Sequence, residues 1–340
     1  MEILKQKIIQ RLNSLTKPIK SLGYLEEIAL KIGLIQEKVI PDLFKDKRVY
    51  VFAGDHGVVE EGVSAYPKEV TAQMVYNFLK GGAAINVFSR HVNAKVFVVD
   101  AGVDHDFEDH PFLIKAKIGY GTRNFTKGPA MNYDKAELSL KKGREIARNA
   151  VKDGGDLLAV GDMGIGNTTT ATAIAVAFGY EIDKILDIGT VIDERGLERK
   201  KNAIIKGMEV NKPNPADPVD VLSKVGSYCL GEMAGFILEA CESKVPVVID
   251  GFPTTAAYLL AYKINPIVKD YAFAGHKSSA KGHEILLKDL GLRPILDLDM
   301  RLGEGTGAVL SMSIIEAAVK MIREMATFEE ASVSKGKEKI

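Results

Sequence analysis

Helical periodicity marks both ends of the chain. Apolar residues recur at helical spacing over residues 2–14 and 22–37, which predicts a helical N-terminal piece. Residues 308–325 show a similar pattern and predict a long amphipathic helix. Residues 332–340 have the composition of a charged, frayed tail.

Six short apolar runs lie between these helical ends, and helical segments separate them. The runs span residues 49–53, 96–99, 157–160, 245–249, 271–274 and 295–298. Runs of this length and composition are typical of buried strands. Strands that alternate with helices predict an α/β fold with a mostly parallel, doubly wound sheet.

Small and acidic residues follow each of the six runs. The segments are Gly54-Asp55-His56-Gly57, Asp100-Ala101-Gly102-Val103-Asp104, Gly161-Asp162, Asp250-Gly251-Phe252, Gly275-His276-Lys277-Ser278 and Asp299-Met300-Arg301-Leu302-Gly303-Glu304-Gly305. Open α/β sheets bind ligands at the carboxyl ends of their strands. These turns together predict a cleft lined by carboxylates, glycines and a few cations.

The segment 161–170 has the pattern of a strand end, a glycine turn and a helix start. Its three glycines let backbone N–H groups approach an anion, and a helix N-terminus carries partial positive charge. Taken alone, the segment fits an ordinary tight turn with a threonine cap equally well. Its spacing is neither that of a Walker loop nor that of the G-x-G-x-x-G dinucleotide turn.

Composition limits the classes of function. The chain has 340 residues, 46% of them hydrophobic, enough for one large domain and a smaller one. Lys and Arg together number 45, as do Asp and Glu, so no net charge favours nucleic acid or an anionic membrane. Any anion site must therefore be local.

The two cysteines and the N-terminus suggest a cellular compartment. Cys229 and Cys241 lie on a predicted helical stretch, too far apart to be neighbours on it, and we expect reduced, buried thiols. Residues 1–5 lack an apolar secretory core, and no run of 18 apolar residues occurs. We expect a cytoplasmic protein.

Several separate motifs together resemble one enzyme family. They are Leu15-Thr16-Lys17-Pro18, Ser21-Leu22-Gly23, Phe52-Ala53-Gly54-Asp55-His56-Gly57-Val58, Gly164-Ile165-Gly166-Asn167-Thr168-Thr169, Gly275-His276-Lys277-Ser278 and the run 298–307. In order and spacing, from about residue 12 to about residue 328, the chain resembles the nicotinate-nucleotide:dimethylbenzimidazole phosphoribosyltransferases. The resemblance implies transfer of a phosphoribosyl group from nicotinate mononucleotide to 5,6-dimethylbenzimidazole, a step of cobalamin synthesis, without a cofactor.

The resemblance also implies an architecture. It is a Rossmann-like sheet domain, here residues 46–307, with a small helical domain built from both chain ends, residues 1–45 plus 308–340. The family assembles as a homodimer, which we expect here as well.

The chemistry of this reaction needs one general base. Nicotinate leaves as a neutral ring, so it needs no acid, and no pyrophosphate leaves, so no Mg²⁺ is required. The attacking benzimidazole must lose a proton from its other nitrogen. Glu304 matches the family's catalytic glutamate, although alone it would be typical of a solvated turn. Asp162 is the second candidate.

Other residues match substrate contacts of the family. Gly164, Gly166, Asn167 and Thr168 resemble its phosphate cradle. Lys200 matches its phosphate-binding lysine, although Arg199-Lys200-Lys201 also suits a solvated helix face. Asp250, Ser278 and Arg301 are expected in the cleft, with Ser278 near the nicotinate carboxylate. Met163 and Leu302 would flank the benzimidazole, although buried core is the commoner role of both types.

His56 and His276 invite a metal or acid-base role, but no third ligand occurs at a suitable spacing. We expect both histidines to order loops, and we expect no metal site.

The chain departs from the family pattern around the acceptor. Asp162 replaces a glutamate, Tyr66-Pro67 replaces Ser-Pro, and Gln73-Met74 is the nearest match to a base-contacting glutamine. The run 187–191 departs from a Gly-x-Gly-Thr-Gly pattern. These changes predict tolerance of related bases such as benzimidazole or adenine.

Two other functions compete with transfer. A non-catalytic or regulatory nucleotide-binding subunit would keep the cradle, but it would have no use for Glu304. A dinucleotide-dependent oxidoreductase would need the G-x-G-x-x-G turn after the first strand, which is missing.

Overall fold

One or more helices separate most consecutive strands in the part of the chain that the structure covers. This computed structural model describes residues 1–187, 189 and 193–334. The strands within these residues are β1 (Lys47–Gly54), β2 (Ala94–Gly102), β3 (Leu113–Lys115), β4 (Leu157–Met163), β5 (Val247–Ile249), β6 (Ala272–Lys277) and β7 (Pro294–Asp297). The helices are α1 (Glu2–Ser14), α2 (Tyr24–Ile35), α3 (Val70–Leu79), α4 (Ala84–His91), α5 (Tyr133–Lys152), α6 (Asn167–Ala177), α7 (Ile182–Ile185), α8 (Glu194–Asn211), α9 (Pro218–Val225), α10 (Tyr228–Glu242), α11 (Phe252–Ile264), α12 (Lys281–Asp289) and α13 (Thr306–Glu324).

The strands form one parallel sheet in the order β3-β2-β1-β4-β5-β6-β7. The strand order reverses between β1 and β4, where Tyr50 pairs with Val160. Such a reversal opens a crevice at the carboxyl ends of the two strands. The α/β, Rossmann-like fold predicted from the sequence is confirmed.

Both faces of the sheet are covered. In β1, Val49 and Val51 face one apolar cluster, which α1, α2, α3, α4 and α13 complete. Tyr50 and Phe52 face the other cluster, built mainly with α5, α6, α10 and α11. Because β1 is buried on both faces, it appears in the sequence as a continuous apolar run.

All six predicted strands are present, and one further strand was not predicted. β3 is an edge strand of only three residues, and only its first residue is buried. A strand this short carries no recognisable alternation of apolar and polar positions. The backbone of β2 at the edge of the sheet, and not a pattern in the sequence of β3, accounts for the pairing of the two strands.

The two ends of the chain contact each other. Leu15 and Thr327 form an antiparallel bridge, and Arg11 Nε donates to the carbonyl of Ile322 at 3.2 Å. α13 also packs against β4, β5, β6 and β7, so it belongs to the sheet's core as well. The boundary between two domains stays a prediction, and residues 335–340 of the predicted small domain lie outside the described residues.

Both cysteines are buried and unpaired by disulfides, as predicted. Among the described helices, none has the length and apolar character needed to cross a membrane.

Candidate active site

A pocket lies at the carboxyl edge of the sheet, beside the point where the strand order reverses. It measures about 790 Å³, part of which is open to solvent. The residues around it come from the loops after β4, β5, β6 and β7 and from the segments before α3 and α8. They are Val63, Ser64, Ala65, Gly164, Ile165, Gly166, Asn167, Thr168, Asp187, Gly189, Gly251, Phe252, Pro253, Ser278, Ala280, Arg301, Leu302 and Gly303. The pocket wall is thus built largely from loops that the carboxyl ends of the parallel strands bring together.

Glycine is required at two positions of the loop after β4. A Cβ at Gly164 would lie 2.3 Å from the carbonyl oxygen of Gly54. The segments that follow β4 and β1 approach each other so closely here that position 164 has no room for a side chain. Gly166 has a φ of +91°, in the left-handed region that other residues rarely adopt. α6 begins at the next residue, Asn167. The loop therefore presents a helix N-terminus to the pocket, as the sequence predicted.

Several helix starts converge on this pocket. Gly166, Asn167 and Thr168 stand at the start of α6, and Phe252 and Pro253 at the start of α11. The N-terminal N–H groups of a helix have no intrahelical acceptors and carry partial positive charge. The pocket is therefore suited to an anion, although the chain has no net charge.

Lys200 lies beneath the same loop, and it is not a solvated surface lysine. It is 1% exposed, and its Nζ donates to Thr168 Oγ1 at 2.9 Å and to the carbonyl of Asp187 at 3.1 Å. Burial lowers the pKa of Lys200 to about 8, and the nearby charge of Asp187 partly opposes this. The ammonium group is thus one side chain away from the pocket wall.

Asp162 is buried at the end of β4 and supports the loop from behind. Its Oδ2 accepts a hydrogen bond from Asn167 Nδ2 at 2.6 Å, and its Oδ1 has no hydrogen-bond partner among the described residues. Burial raises the pKa of Asp162 to about 6, while the Asn167 contact lowers it. Asp162 is not among the pocket-lining residues, and its catalytic role stays a prediction.

Glu304 follows the pocket-lining residue Gly303 in the sequence, and Glu304 is not itself among the pocket-lining residues. The residue is 3% exposed, and its Oε1 accepts from the Ile85 N–H at 2.9 Å. Burial raises the pKa of Glu304, the Ile85 hydrogen bond lowers it, and the charge of Asp250 raises it. A buried carboxylate with one oxygen held by a helix N-terminus can act as a positioned proton acceptor.

Asp250 has a structural task that the sequence reasoning missed. Its carboxylate accepts from the N–H groups of Gly305, Gly307 and Ala308 at 3.0, 2.8 and 2.9 Å. It thereby caps α13 and fixes the loop that carries Glu304. The substrate contact predicted for Asp250 stays a prediction.

The remaining predicted residues divide between the pocket and its surroundings. Ser278 lines the pocket, and its N–H donates to His283 Nδ1 at 2.8 Å. Arg301 and Leu302 line the rim, where Leu302 is 54% exposed. Met163 is half-buried and packs against the apolar cluster on the α13 side, outside the pocket lining.

Both histidines of the strand-end motifs are buried beside the pocket loops. His56 Nδ1 lies 2.9 Å from Thr170 Oγ1, and burial lowers the pKa of His56 to about 4. His276 Nε2 lies 3.5 Å from Asp250 Oδ1. The loop-ordering role expected for both histidines stays a prediction.

Sequence reasoning missed the contact of Ile85 with Glu304 and assigned no role to Asp187, whereas Phe252 at the start of α11 was in a segment expected to line the cleft. Gly81-Gly82 before α4 is the only local signal for the Ile85 contact, since this pair marks a turn. Asp187 and Gly189 of the departing run 187–191 line the pocket, whereas Ile188, Thr190 and Val191 of that run lie outside the described residues.

Known proteins resemble the chain over nearly its whole length. A family model described as "Phosphoribosyltransferase" matches residues 2–333. The nicotinate-nucleotide–dimethylbenzimidazole phosphoribosyltransferase of Geobacter sulfurreducens is 52% identical over 327 residues, covering 96% of this chain and 93% of the relative. The protein of that name from Thermus thermophilus is 50% identical over 327 residues, covering 96% and 97%. A crystal structure of the phosphoribosyltransferase from Thermus thermophilus superimposes with a TM-score of 0.93 at 48% identity, covering 98% of this chain and 99% of that one.

Proposed function

Since the chain belongs to the nicotinate-nucleotide–dimethylbenzimidazole phosphoribosyltransferase family, we propose that it transfers a 5-phosphoribosyl group from nicotinate mononucleotide to 5,6-dimethylbenzimidazole. The products are α-ribazole 5′-phosphate and nicotinate, and the step serves cobalamin synthesis.

The buried Lys200 ammonium under the glycine loop is the observation that carries this proposal. The loop supplies backbone N–H groups and the start of α6, and Lys200 supplies a full positive charge that Thr168 Oγ1 links to the loop at 2.9 Å. A glycine loop, a helix N-terminus and a lysine form a phosphate site by charge and hydrogen bonding together. The 5′-phosphate of the donor nucleotide binds there.

The transfer step exchanges one C1′–N bond for another. One benzimidazole nitrogen attacks C1′ from the face opposite nicotinate, and the C1′–N bond electrons return to the pyridine ring, which leaves neutral. The proton on the other benzimidazole nitrogen passes to the Glu304 carboxylate. Attack from the opposite face inverts C1′ and gives the α-riboside, and holding both rings in line supplies much of the rate enhancement.

The surroundings of Glu304 suit the role of base. Burial raises the pKa of Glu304 above the ordinary glutamate value. A higher pKa makes the carboxylate a stronger base towards the benzimidazole N–H. Its loop is held by Asp250 and its carboxylate by Ile85, so the acceptor oxygen is fixed before substrate binds. Ser278, Arg301 and Leu302 on the pocket wall would contact the nicotinate and the acceptor ring.

Release of nicotinate from nicotinate mononucleotide, measured with and without dimethylbenzimidazole, tests the proposal. We expect release that requires the acceptor, and a loss of about 10² to 10⁴ in rate for Glu304→Gln. Glu239→Gln is the matched control, because Glu239 is 5% exposed but pairs with Arg148 at the far end of α10. Binding of the donor with no release under any acceptor would instead leave a nucleotide-binding subunit.

We also propose that the enzyme works in the cytoplasm as a homodimer and without nucleic acid. Two buried free thiols suit a reducing compartment. Because acidic and basic residues are equal in number, the chain has no net positive charge that would attract nucleic acid. Sedimentation equilibrium would give a single species of twice the chain mass if the dimer is correct.

A further inference from the structure

The hydrogen-bond donor of Glu304 is the Ile85 N–H at the start of α4, which lies outside the sequence motifs of the site. α3 ends at Leu79 and α4 begins at Ala84. Between them, Gly81 has a φ of +78°, and a Cβ at Gly82 would lie 2.6 Å from Asn77 Oδ1. The connection is therefore tightly restricted, and it sets where the first N–H groups of α4 point.

Asn86 ties this turn together from inside the protein. Its Oδ1 accepts from the Ala83 N–H at 3.1 Å, and its Nδ2 donates to the carbonyl of Phe78 at 3.0 Å. Its own N–H donates to the Ala83 carbonyl at 3.1 Å. The side chain is 7% exposed, so water does not replace these partners easily. Asn86 therefore joins the last turn of α3 to the first turn of α4.

Ile85, the neighbour of Asn86, touches the Glu304 loop in two ways. Its N–H donates to Glu304 Oε1 at 2.9 Å. Its side chain is fully buried, and a Cβ at Gly305 would lie 3.3 Å from Ile85 Cδ1. A displacement of the start of α4 would therefore move both the hydrogen bond and the packing beside Glu304.

We propose that Asn86 is a positioning residue for the transfer reaction, because its bridge between α3 and α4 aims the Ile85 N–H at the Glu304 carboxylate. This inference rests on the proposed function for its catalytic meaning. Asn86 does not touch the pocket and acts only through Ile85.

The electrostatics give the inference a measurable consequence. The N–H of Ile85 and the start of α4 stabilise the ionised form of Glu304 and so lower its pKa. Among the described residues, three titratable groups lie against this loop: Asp250 after β5 accepts from the Gly305 N–H, the N–H of Asp162 in β4 donates to the Gly303 carbonyl, and the ring of His276 in β6 lies beside Gly307. Of these, the charge of Asp250 raises the pKa of Glu304. Without the Ile85 contact, burial and Asp250 would act unopposed, and the pKa of Glu304 would rise.

The pH profile of kcat/KM for Asn86→Ala, compared with the wild type, tests the role. We expect its acid limb to move up by about one pH unit, so that kcat/KM falls roughly tenfold at pH values below the limb. The KM for nicotinate mononucleotide should stay the same within about twofold, since the phosphate loop is untouched. Asn86→Ser keeps a hydroxyl as acceptor for the Ala83 N–H, loses the bond to Phe78, adds no charge near Glu304, and should move the limb in the same direction.

Asn211→Ala is the matched control. Asn211 is also 7% exposed, and its Nδ2 donates to the carbonyls of Phe125 and Gly207 at 2.7 and 2.9 Å, remote from Glu304. It should lower stability as Asn86→Ala does and leave the pH profile unchanged. An equal shift of the acid limb in Asn211→Ala would overturn the inference.

A second measurement does not depend on turnover. In protein labelled with ¹³C-glutamate, the carboxyl signal missing from Glu304→Gln identifies Glu304, and its titration gives the pKa directly. A higher pKa in Asn86→Ala or Asn86→Ser supports the positioning role even if the wild type transfers nothing. An unchanged pKa in both folded variants overturns it, whatever the outcome for the proposed function.

Discussion

The carboxylate of Asp250 accepts a hydrogen bond from the backbone N–H of Gly307 at 2.8 Å, at the start of α13. The same carboxylate accepts from Gly305 and Ala308. The Asp250 side chain at the end of β5 thus holds the loop that carries Glu304. Asp250 therefore has a structural role, whether or not it also contacts substrate.

Replacing Asp250 with alanine should lower the free energy of unfolding by about 2–4 kcal/mol, because several buried N–H groups lose their acceptor. Asp250→Asn keeps one acceptor oxygen and should lose less. Denaturant unfolding of both variants measures this. Equal stability of Asp250→Ala and the wild type would show that the cap contributes nothing.

Asp162 should make stability depend on pH. Its pKa is raised from 3.8 to about 6, so the folded state favours the protonated form. The stability that this form gives is complete below pH 4 and is lost as the pH rises through 6. The free energy of unfolding of Asp162→Asn relative to the wild type should therefore increase over this interval, by about 3 kcal/mol at most.

Urea unfolding at pH 4, 5, 6 and 7.5 would follow this difference. Asp289→Asn serves as the control, because Asp289 is exposed at the end of α12 and its difference should be flat. A flat difference for Asp162→Asn as well would mean that Asp162 is ionised throughout.

Lys200 should make donor binding sensitive to alkaline pH. Burial lowers the pKa of Lys200 to about 8, so the free protein loses the positive charge above that pH, while the phosphate of the donor keeps its full charge. The affinity for nicotinate mononucleotide should fall by up to about tenfold for each pH unit above 8.

Isothermal titration calorimetry from pH 7 to 9.5 measures this fall in affinity. Lys200→Met should bind nicotinate mononucleotide weakly, and its affinity should not change with pH over this range. Lys201→Met is the control, since Lys201 is partly exposed and paired with Asp183 outside the pocket. An unchanged affinity of Lys200→Met would remove the lysine from the phosphate site.

The sequence predicted the sheet better than it predicted the tasks of the residues at its edge. β1 and β4 are buried on both faces, so their apolar runs stand out, whereas β3 has three residues and leaves no pattern. The turns after the strands do converge on one pocket, because parallel strands end at the same edge.

Long-range partners were beyond sequence reasoning. Asp250 follows a strand as Asp162 does, and nothing local reveals that Asp250 caps a helix more than 50 residues later. The Ile85 N–H reaches Glu304 across 219 residues. The packing of α13 against both β5 and α4 brings these groups together.

The acceptor side of the pocket should discriminate weakly among bases. Ser64 and Ala65 are small, and Leu302 is 54% exposed at the rim, so the two methyl groups of dimethylbenzimidazole would be only partly buried. A fully enclosed methylene is worth about 1–3 kcal/mol of discrimination, and partial burial a fraction of that. In a competition assay, benzimidazole should therefore react within about tenfold of the dimethylated base, and adenine should also be accepted. A preference above about a hundredfold for dimethylbenzimidazole would contradict this prediction. It would mean that the pocket closes an apolar wall around both methyl groups when substrate binds.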